Sequence, residues 1–377
     1  DGQYRVNGRS MDFGGEVFDM SHSSYSVVAQ LSQVLYGGGI RANYDMARVD
    51  ENRAAINEEI TYRDVLYAAE LAYWQAVAYG KLYEVMDNYV DIVTSLENVL
   101  AERYSEGLIA QTDYLQILSR KKETLISRSE IYKSYIISLQ NLNVLMGTTP
   151  YEAVKLVTPL DQGISVGNLL ADDLQTGFSF ASVSASDGVT GQNVNPFATR
   201  PEYKIAALDM NYREKELNLV KSNYNPQIQV GLQQSWGTPA MNFTGDPQFN
   251  TNIYAKVTIP LFEWGARYKR IKWQRALISD ARFELQRVAD DIVSEVANAR
   301  VEYEESIRQI QIAAQARDIA KENLELNTFS YMEGRLTIVD VLSSQVTWIQ
   351  AQSRYVELLL GHKVAGAAYL KALGLFR

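Results

Sequence analysis

The sequence predicts a mainly helical protein with some β structure, built as an internal two-fold repeat in which a strand pair leads into a long helical hairpin. Three observations carry this prediction. All eight prolines fall at positions 150, 159, 196, 201, 226, 239, 247 and 260, which leaves 1–149 and 261–377 free of them and open to long uninterrupted helices. The stretch "RYSEGLIAQTDYL" (103–115) matches "SYMEGRLTIVDVL" (330–342) at an offset of 227, pairing Tyr104 with Tyr331, Glu106 with Glu333, Gly107 with Gly334, Asp113 with Asp340 and Leu115 with Leu342. Upstream of each long helix, the apolar residues change from helical spacing to strict alternation, the period of a half-buried strand.

The first element, "DGQYRVNG" at 1–8, aligns Tyr4 and Val6 with Val230 and Leu232 at an offset of 226. A polar loop over roughly 9–23 leads to "SYSVVAQLSQVL" (24–35), where Tyr25, Val27, Ala29, Leu31 and Leu35 share one face. The stretch 41–103 follows, with Gly80 as its only helix-weakening residue. About 60 helical residues reach on the order of 90 Å, which demands a coiled coil or bundle. After the 103–115 motif a second helix runs to "VLMG" (144–147).

The second copy repeats this order. A helical segment at 200–225 precedes "PQIQVGLQQSW" (226–236), in which Ile228, Val230, Leu232 and Trp236 alternate with Gln227, Gln229, Gln233 and Ser235. After a loop at 237–251 comes "NIYAKVTIPL" (252–261), with Ile253, Ala255, Val257, Ile259 and Leu261 on one face. Next, 267–333 contains neither Gly nor Pro, and the return helix ends at "KALG" (371–374). "QVLYGGGIR" (33–41) and "IPLFEWGAR" (259–267) align at 226, which makes Gly39 and Gly265 equivalent at the strand-to-helix junction. The expected organisation is strand hairpins at 1–36 and 226–261, helical parts at 37–147 and at 200–225 with 262–374, and a connector at 148–199. A counterpart of 200–225 would precede residue 1, so the chain is expected to begin inside the first strand, with a helix and any signal peptide upstream.

Strands of about ten alternating residues suit a transmembrane barrel with lipid outside and a wet lumen. Two hairpins cannot close such a barrel alone, because edge strands in lipid leave backbone groups unsatisfied; several chains would have to share one wall. The same pattern also suits a soluble hairpin capping a coiled coil. A net charge of -9 argues against nucleic-acid binding, and the absence of cysteine removes disulfides and thiolate chemistry. His22 and His362 are isolated. No phosphate-cradling loop, nucleophile elbow or HExxH motif occurs, so nothing supports an enzyme, a cofactor or a metal site. "YGGGIR" is glycine-rich, but it lies where the chain must bend.

The stretches "RPEYKIAALDMNYREKELNLVKSNYNPQIQV", "VTIPLFEWGARYKR" and "YMEGRLTIVDVLSSQVTWIQAQSRYVELL", with "EGLIAQTDYL" in the first copy, resemble the outer-membrane factor family of TolC-like channels. The resemblance covers nearly the whole chain. It implies a homotrimer in the bacterial outer membrane, extending into the periplasm. Each protomer would give four strands to a 12-stranded transmembrane β-barrel, continued by a long coiled-coil α-helical barrel, with 148–199 as its equatorial segment. The implied function is the exit duct of a tripartite pump for drugs, metals or other small molecules. Its partners would be a periplasmic adaptor (membrane fusion) protein, an inner-membrane transporter of the RND or ABC type, and outer-membrane lipid. A type I protein secretion duct is the alternative within the family; a soluble coiled-coil scaffold is the alternative outside it.

The resemblance also assigns roles at the 103–115 and 330–342 turns. Gly107, Leu108, Ile109 and Ala110, with Gly334, Leu336, Thr337 and Ile338, would be the tips that dock the adaptor. Thr112, Asp113 and Tyr331 match positions that hold the family's periplasmic gate, and Asp340 matches an aspartate that narrows the pore. Two positions depart from the pattern: Leu336 stands where the gate arginine is expected, with Arg335 one residue earlier, and Ser343 replaces a second pore aspartate. A single acidic ring and a differently wired lock are the expectation.

Overall fold

The computed structural model describes residues 2–6, 10–13, 16–19, 23–160, 200–238 and 246–376. The Ser/Gly-rich stretch 177–195, most of the 148–199 connector, and His22 lie outside the described residues. Four strands come first, β1 (Gly2–Val6), β2 (Ser10–Phe13), β3 (Glu16–Asp19) and β4 (Ser23–Tyr36), followed by helices α1 (Gly39–Ser105) and α2 (Gln111–Leu145). Then come α3 (Pro201–Ser222), β5 (Gln227–Gly237), β6 (Gln248–Thr258), α4 (Ala266–Met332) and α5 (Ile338–Ala372). The duplication is kept in helix length: α1 and α4 have 67 residues each, α2 and α5 have 35 each. Among the described residues no helix is long and apolar enough to cross a membrane.

Two compact units result, Asp1–Ala55 with Ile205–Arg287, and Ile56–Lys204 with Val288–Arg377. The first contains a four-stranded sheet in the order β1-β4-β5-β6, all neighbours antiparallel. The 9–23 region, read from sequence as a loop, holds a small hairpin of β2 and β3 instead. In the sequence Gly14-Gly15 separates these two strands, a spacing that favours a tight hairpin turn. Tyr4 pairs with Tyr25, whereas its counterpart Val230 pairs with Ala255, the counterpart of Ala29. The two hairpins therefore differ in register by four residues at the 226 offset. An even step leaves each residue on its own face.

One face of this sheet is apolar and uncovered. Leu31 is 72% exposed and Ile253 83%, and Val27, Leu35, Phe249 and Val257 are exposed with them. On the other face Gln30 Nε2 donates to the Tyr254 hydroxyl at 2.7 Å. The Tyr254 ring lies over its cross-strand partner Gly231, where an added Cβ would approach it to 2.4 Å. Glycine leaves room for the ring there, and the ring in turn covers its backbone.

The second unit is held by helix packing. Val93, Leu96 and Leu100 of α1, Ile117 of α2, Leu324 and Tyr331 of α4, and Ile338, Val341 and Leu342 of α5 form one buried cluster. A second cluster joins Val77 and Ala78 to Ile310, Val356 and Leu359. Where α3 begins, at Pro201 (a favoured first helical residue), the preceding Arg200 is 4% exposed. Its guanidinium donates to Glu202 at 3.0 Å, to Glu295 at 2.7 Å and to the Ala372 carbonyl at 2.6 Å. Glu202 also binds the buried Arg63. Burial alone would raise the Glu202 pKa, but the Arg63 and Arg200 contacts win and hold it below its ordinary value.

Candidate functional site

The two helical tips share one backbone solution. At the first, the Gly107 N–H bonds the Tyr104 carbonyl at 3.0 Å and the Leu108 N–H bonds Arg103 at 2.9 Å. At the second, Gly334 bonds Tyr331 and Arg335 bonds Ser330, both at 2.9 Å. Gly107 and Gly334 adopt φ of +72° and +74°, the left-handed helix stop that glycine adopts without steric penalty. An added Cβ at either would meet nothing within 4 Å, so both turns present open backbone.

The candidate docking residues divide by burial. Leu108 is 68% exposed and Leu336 37%, and Ala110 and Thr337 are exposed beside them. Ile109 packs partly against the α1–α2–α4–α5 cluster. Ile338 is 2% exposed within that cluster, so it supports the tip and is unavailable as a contact. Beside the turns, α2 and α5 border a groove of about 530 Å³ with a mixed lining, polar at Ser119, Arg120, Ser343 and Thr347 and apolar at Val339, Leu342 and Val346.

The two tips differ at the helix starts. Thr337 caps α5 in a capping box with Asp340, whose carboxylate lies at 3.0 Å from the Thr337 N–H and 2.6 Å from its hydroxyl. These bonds hold the Asp340 pKa below its ordinary value. In the first copy the cap is Ala110, which has no side-chain cap bond, and Asp113 stands three residues on without a capping hydroxyl.

Asp113 acts elsewhere. Tyr331 is 7% exposed, and its hydroxyl has no hydrogen-bond partner among the described residues. Burial raises its pKa, the nearby Asp113 charge raises it further, and Arg103 opposes them. Arg103, which sequence reasoning missed, donates to the last α4 carbonyl, Met332, at 3.3 Å; a basic residue in the last turn of a helix was its only signal. Thr112 and Arg335 stand exposed. The structure thus draws Asp113, Tyr331 and Arg103 together within one chain and leaves Thr112, Arg335 and Asp340 on the surface.

At the strand-to-helix junctions the paired glycines are not equivalent. Gly265 has φ +78° and follows Trp264, the only non-glycine with positive φ among the described residues, at 46°. Gly39 is the first residue of α1, with no such backbone. The close approach in the first copy is at Gly38, where a Cβ would lie 2.2 Å from the Ser222 carbonyl oxygen.

Residues 197–375 match the family model described as outer membrane efflux protein. No curated protein matches significantly by sequence. Among solved structures, the CmeC outer membrane channel of Campylobacter jejuni is similar over 100% of this chain and 78% of its own, with a TM-score of 0.72 and 14% identity. The outer membrane protein VceC of Vibrio cholerae covers 99% of this chain and 86% of its own, at 0.69 and 15%. The open-state MtrE outer membrane channel of Neisseria gonorrhoeae covers 99% and 80%, at 0.69 and 16%. The architecture is that of the TolC-like channels.

Proposed function

Because residues 197–375 match the outer membrane efflux protein family model, we propose that the chain is a member of that family and that three copies form the exit duct of a tripartite pump. It is an outer-membrane protein and not an enzyme. Each copy contributes its four-stranded sheet to one 12-stranded barrel, and its helices prolong the bore into the periplasm. The observation that carries this is the uncovered apolar face of β4, β5 and β6, from Val27 to Val257, on a sheet whose outer strands β1 and β6 have open edges. In lipid such edges must be closed by neighbouring strands, and further copies of the same sheet supply them. The apolar side then faces hydrocarbon, while Gln30, Tyr254 and Lys256 face a wet lumen.

The tips support the second half of the reading. Exposed backbone at Gly107 and Gly334, with Leu108 and Leu336 beside it and a groove of mixed polar and apolar lining nearby, is a surface on which a helical hairpin can lie. A periplasmic adaptor is the proposed occupant, and Ile338 holds the surface from beneath. Tyr331, Asp113, Thr112 and Arg335 form the lock between neighbouring hairpins, and Asp340 lines the narrowest passage. No ATP or proton-relay motif occurs in the sequence, so an inner-membrane transporter of the RND or ABC type supplies the energy. Small molecules such as drugs or metals are the proposed cargo.

The test is extraction and conductance. The protein should need detergent, run as a heat-sensitive trimer, and conduct ions in planar bilayers. A strain lacking it should become sensitive to pump substrates. A water-soluble monomer would defeat the proposal.

A further inference from the structure

Just below the apolar strand face, the start of α4 carries a charge pattern that channel formation does not explain. In a chain of net charge -9, the stretch "RYKRIKWQR" (267–275) holds five cations, Arg267, Lys269, Arg270, Lys272 and Arg275, and no acid. All five are exposed. Two have partners: Arg267 lies 5.0 Å over the Tyr224 ring, and Arg270 reaches the Tyr224 hydroxyl and Glu263. Lys269, Lys272 and Arg275 make no ion pair among the described residues. Lys269 also sits in the first turn of α4, at the positive end of the helix dipole, where a cation is unfavourable, and that turn has no acid to offset it. The corresponding stretch of the first copy, 41–49, has only Arg41 and Arg48 and includes Asp45, so the excess belongs to the second copy alone.

Immediately before this stretch the chain exposes large apolar side chains. Leu261 and Trp264 are each 90% exposed and Phe262 is 72%, and the Phe262 and Trp264 rings meet edge to face at 5.0 Å. Trp264 is held there by a left-handed backbone that a bulky residue rarely adopts. Trp273, 62% exposed, lies on α4 itself, beside Lys272 in sequence. Aromatics at the end of a lipid-facing strand band, followed within a few residues by unpaired cations, match the order of chemistry met on leaving a bilayer: hydrocarbon, interface, then headgroup charge.

We propose that Lys269, Lys272 and Arg275, with Trp264 and Trp273, form a site for anionic phospholipid headgroups in the inner leaflet of the outer membrane. This rests on the barrel reading, which puts the strand-to-helix junction at the lower membrane boundary. The cations bind headgroup phosphate as point charges, and the indoles settle at the interface and fix the depth of the junction. The occupant is lipid because the cationic stretch continues from the uncovered apolar strand face, the surface that the bilayer contacts.

The test uses the protein purified from outer membranes and reconstituted in bilayers where brominated phosphatidylcholine or brominated phosphatidylglycerol quenches tryptophan fluorescence. Wild type should favour the anionic lipid several-fold, with the preference falling as salt rises. The Lys269→Gln/Lys272→Gln/Arg275→Gln variant should lose it while keeping quenching by the neutral lipid. A double Lys121→Gln/Lys122→Gln variant on α2 should keep wild-type preference. Equal quenching of wild type by both lipids overturns the site and leaves the barrel standing; so does an unchanged preference in the triple variant combined with altered ion selectivity, which would put these cations in the bore. No quenching by either lipid would instead defeat the barrel reading.

Discussion

One oxygen of the Asp340 carboxylate holds Thr337 twice, at its backbone N–H and at its hydroxyl. This makes Asp340 a helix-capping residue in its own chain, whatever it does at a pore axis. The two roles separate by substitution. Asp340→Ala should lower the thermal stability of the helical hairpin, because α5 loses the Asp340 half of its capping box; Asp340→Asn should retain much of it, since an amide oxygen still accepts. If the carboxylates also ring the pore, Asp340→Asn should change conductance and cation preference in a planar bilayer. Unchanged recordings would leave capping as its role. The sign with pH is set by the depressed pKa: the contribution is present above the ordinary carboxylate range and is lost as pH falls through the folded-state value.

Tyr331 is expected to behave in the opposite way. Its hydroxyl is buried and unpartnered among the described residues of the protomer, so Tyr331→Phe removes a polar group that gains nothing there and should leave melting of the isolated subunit unchanged or slightly improved. If a neighbouring subunit supplies the missing partner at a lock, the same variant should raise single-channel conductance. Loss of subunit stability in Tyr331→Phe would show that the hydroxyl is satisfied inside the chain.

Arg200 should be a costly polar site of the second unit. It sits at 4% exposure with its donors on Glu202, Glu295 and the last α5 carbonyls. Arg200→Ala leaves Glu202 with Arg63 alone and the α5 end uncapped, at a cost of about 1.5–3 kcal/mol because both carboxylates stay partly solvated, readable as a lowered midpoint in urea. Lysine keeps the charge but not the fork and should recover only part of the loss.

His362 predicts an acid sensitivity. It is buried, its Nδ1 lies 2.9 Å from the Ser306 hydroxyl, and its ring stacks on Tyr303. Burial first, and Lys363 second, hold its pKa below the ordinary 6.5. The unfolded chain therefore takes up this proton before the folded one does, and stability falls as pH drops below about 6.5. Melting temperatures of wild type and His362→Gln should converge as pH is lowered from 7.5 to 5.5. A parallel decline in both would clear His362 of the effect.

Much of the fold was legible because its signals are local. The absence of proline and glycine from 267–333 left no place for α4 to break, and alternation in "NIYAKVTIPL" identified a two-faced strand before any pairing was known. The β2–β3 hairpin was passed over, although Gly14-Gly15 advertises it, because the surrounding residues are polar enough to read as loop. Thr337 and Asp340 carry the three-residue spacing of a capping box, yet the likeness to a pore aspartate drew attention first. Arg103, apart from its place in the last turn of α1, and Arg200 were not legible. Their partners, Met332, Glu295 and Ala372, lie tens to hundreds of residues away, and no periodicity links a buried cation to a distant carbonyl. Ile338, 2% exposed, shows a related gap: turn position says which residues are near a tip, but only packing says which of them point inward.

The four-residue offset between the two strand hairpins bears on how such a wall can change over time. A hairpin that gains or loses residues two at a time keeps oil on one side and water on the other, so lineages can lengthen or slide these staves in pairs at little cost. A single-residue step inverts every position beyond it. Insertion scanning through β5 or β6 should therefore alternate between tolerated and inactivating with each residue added, while the same scan through α2 should show no such parity.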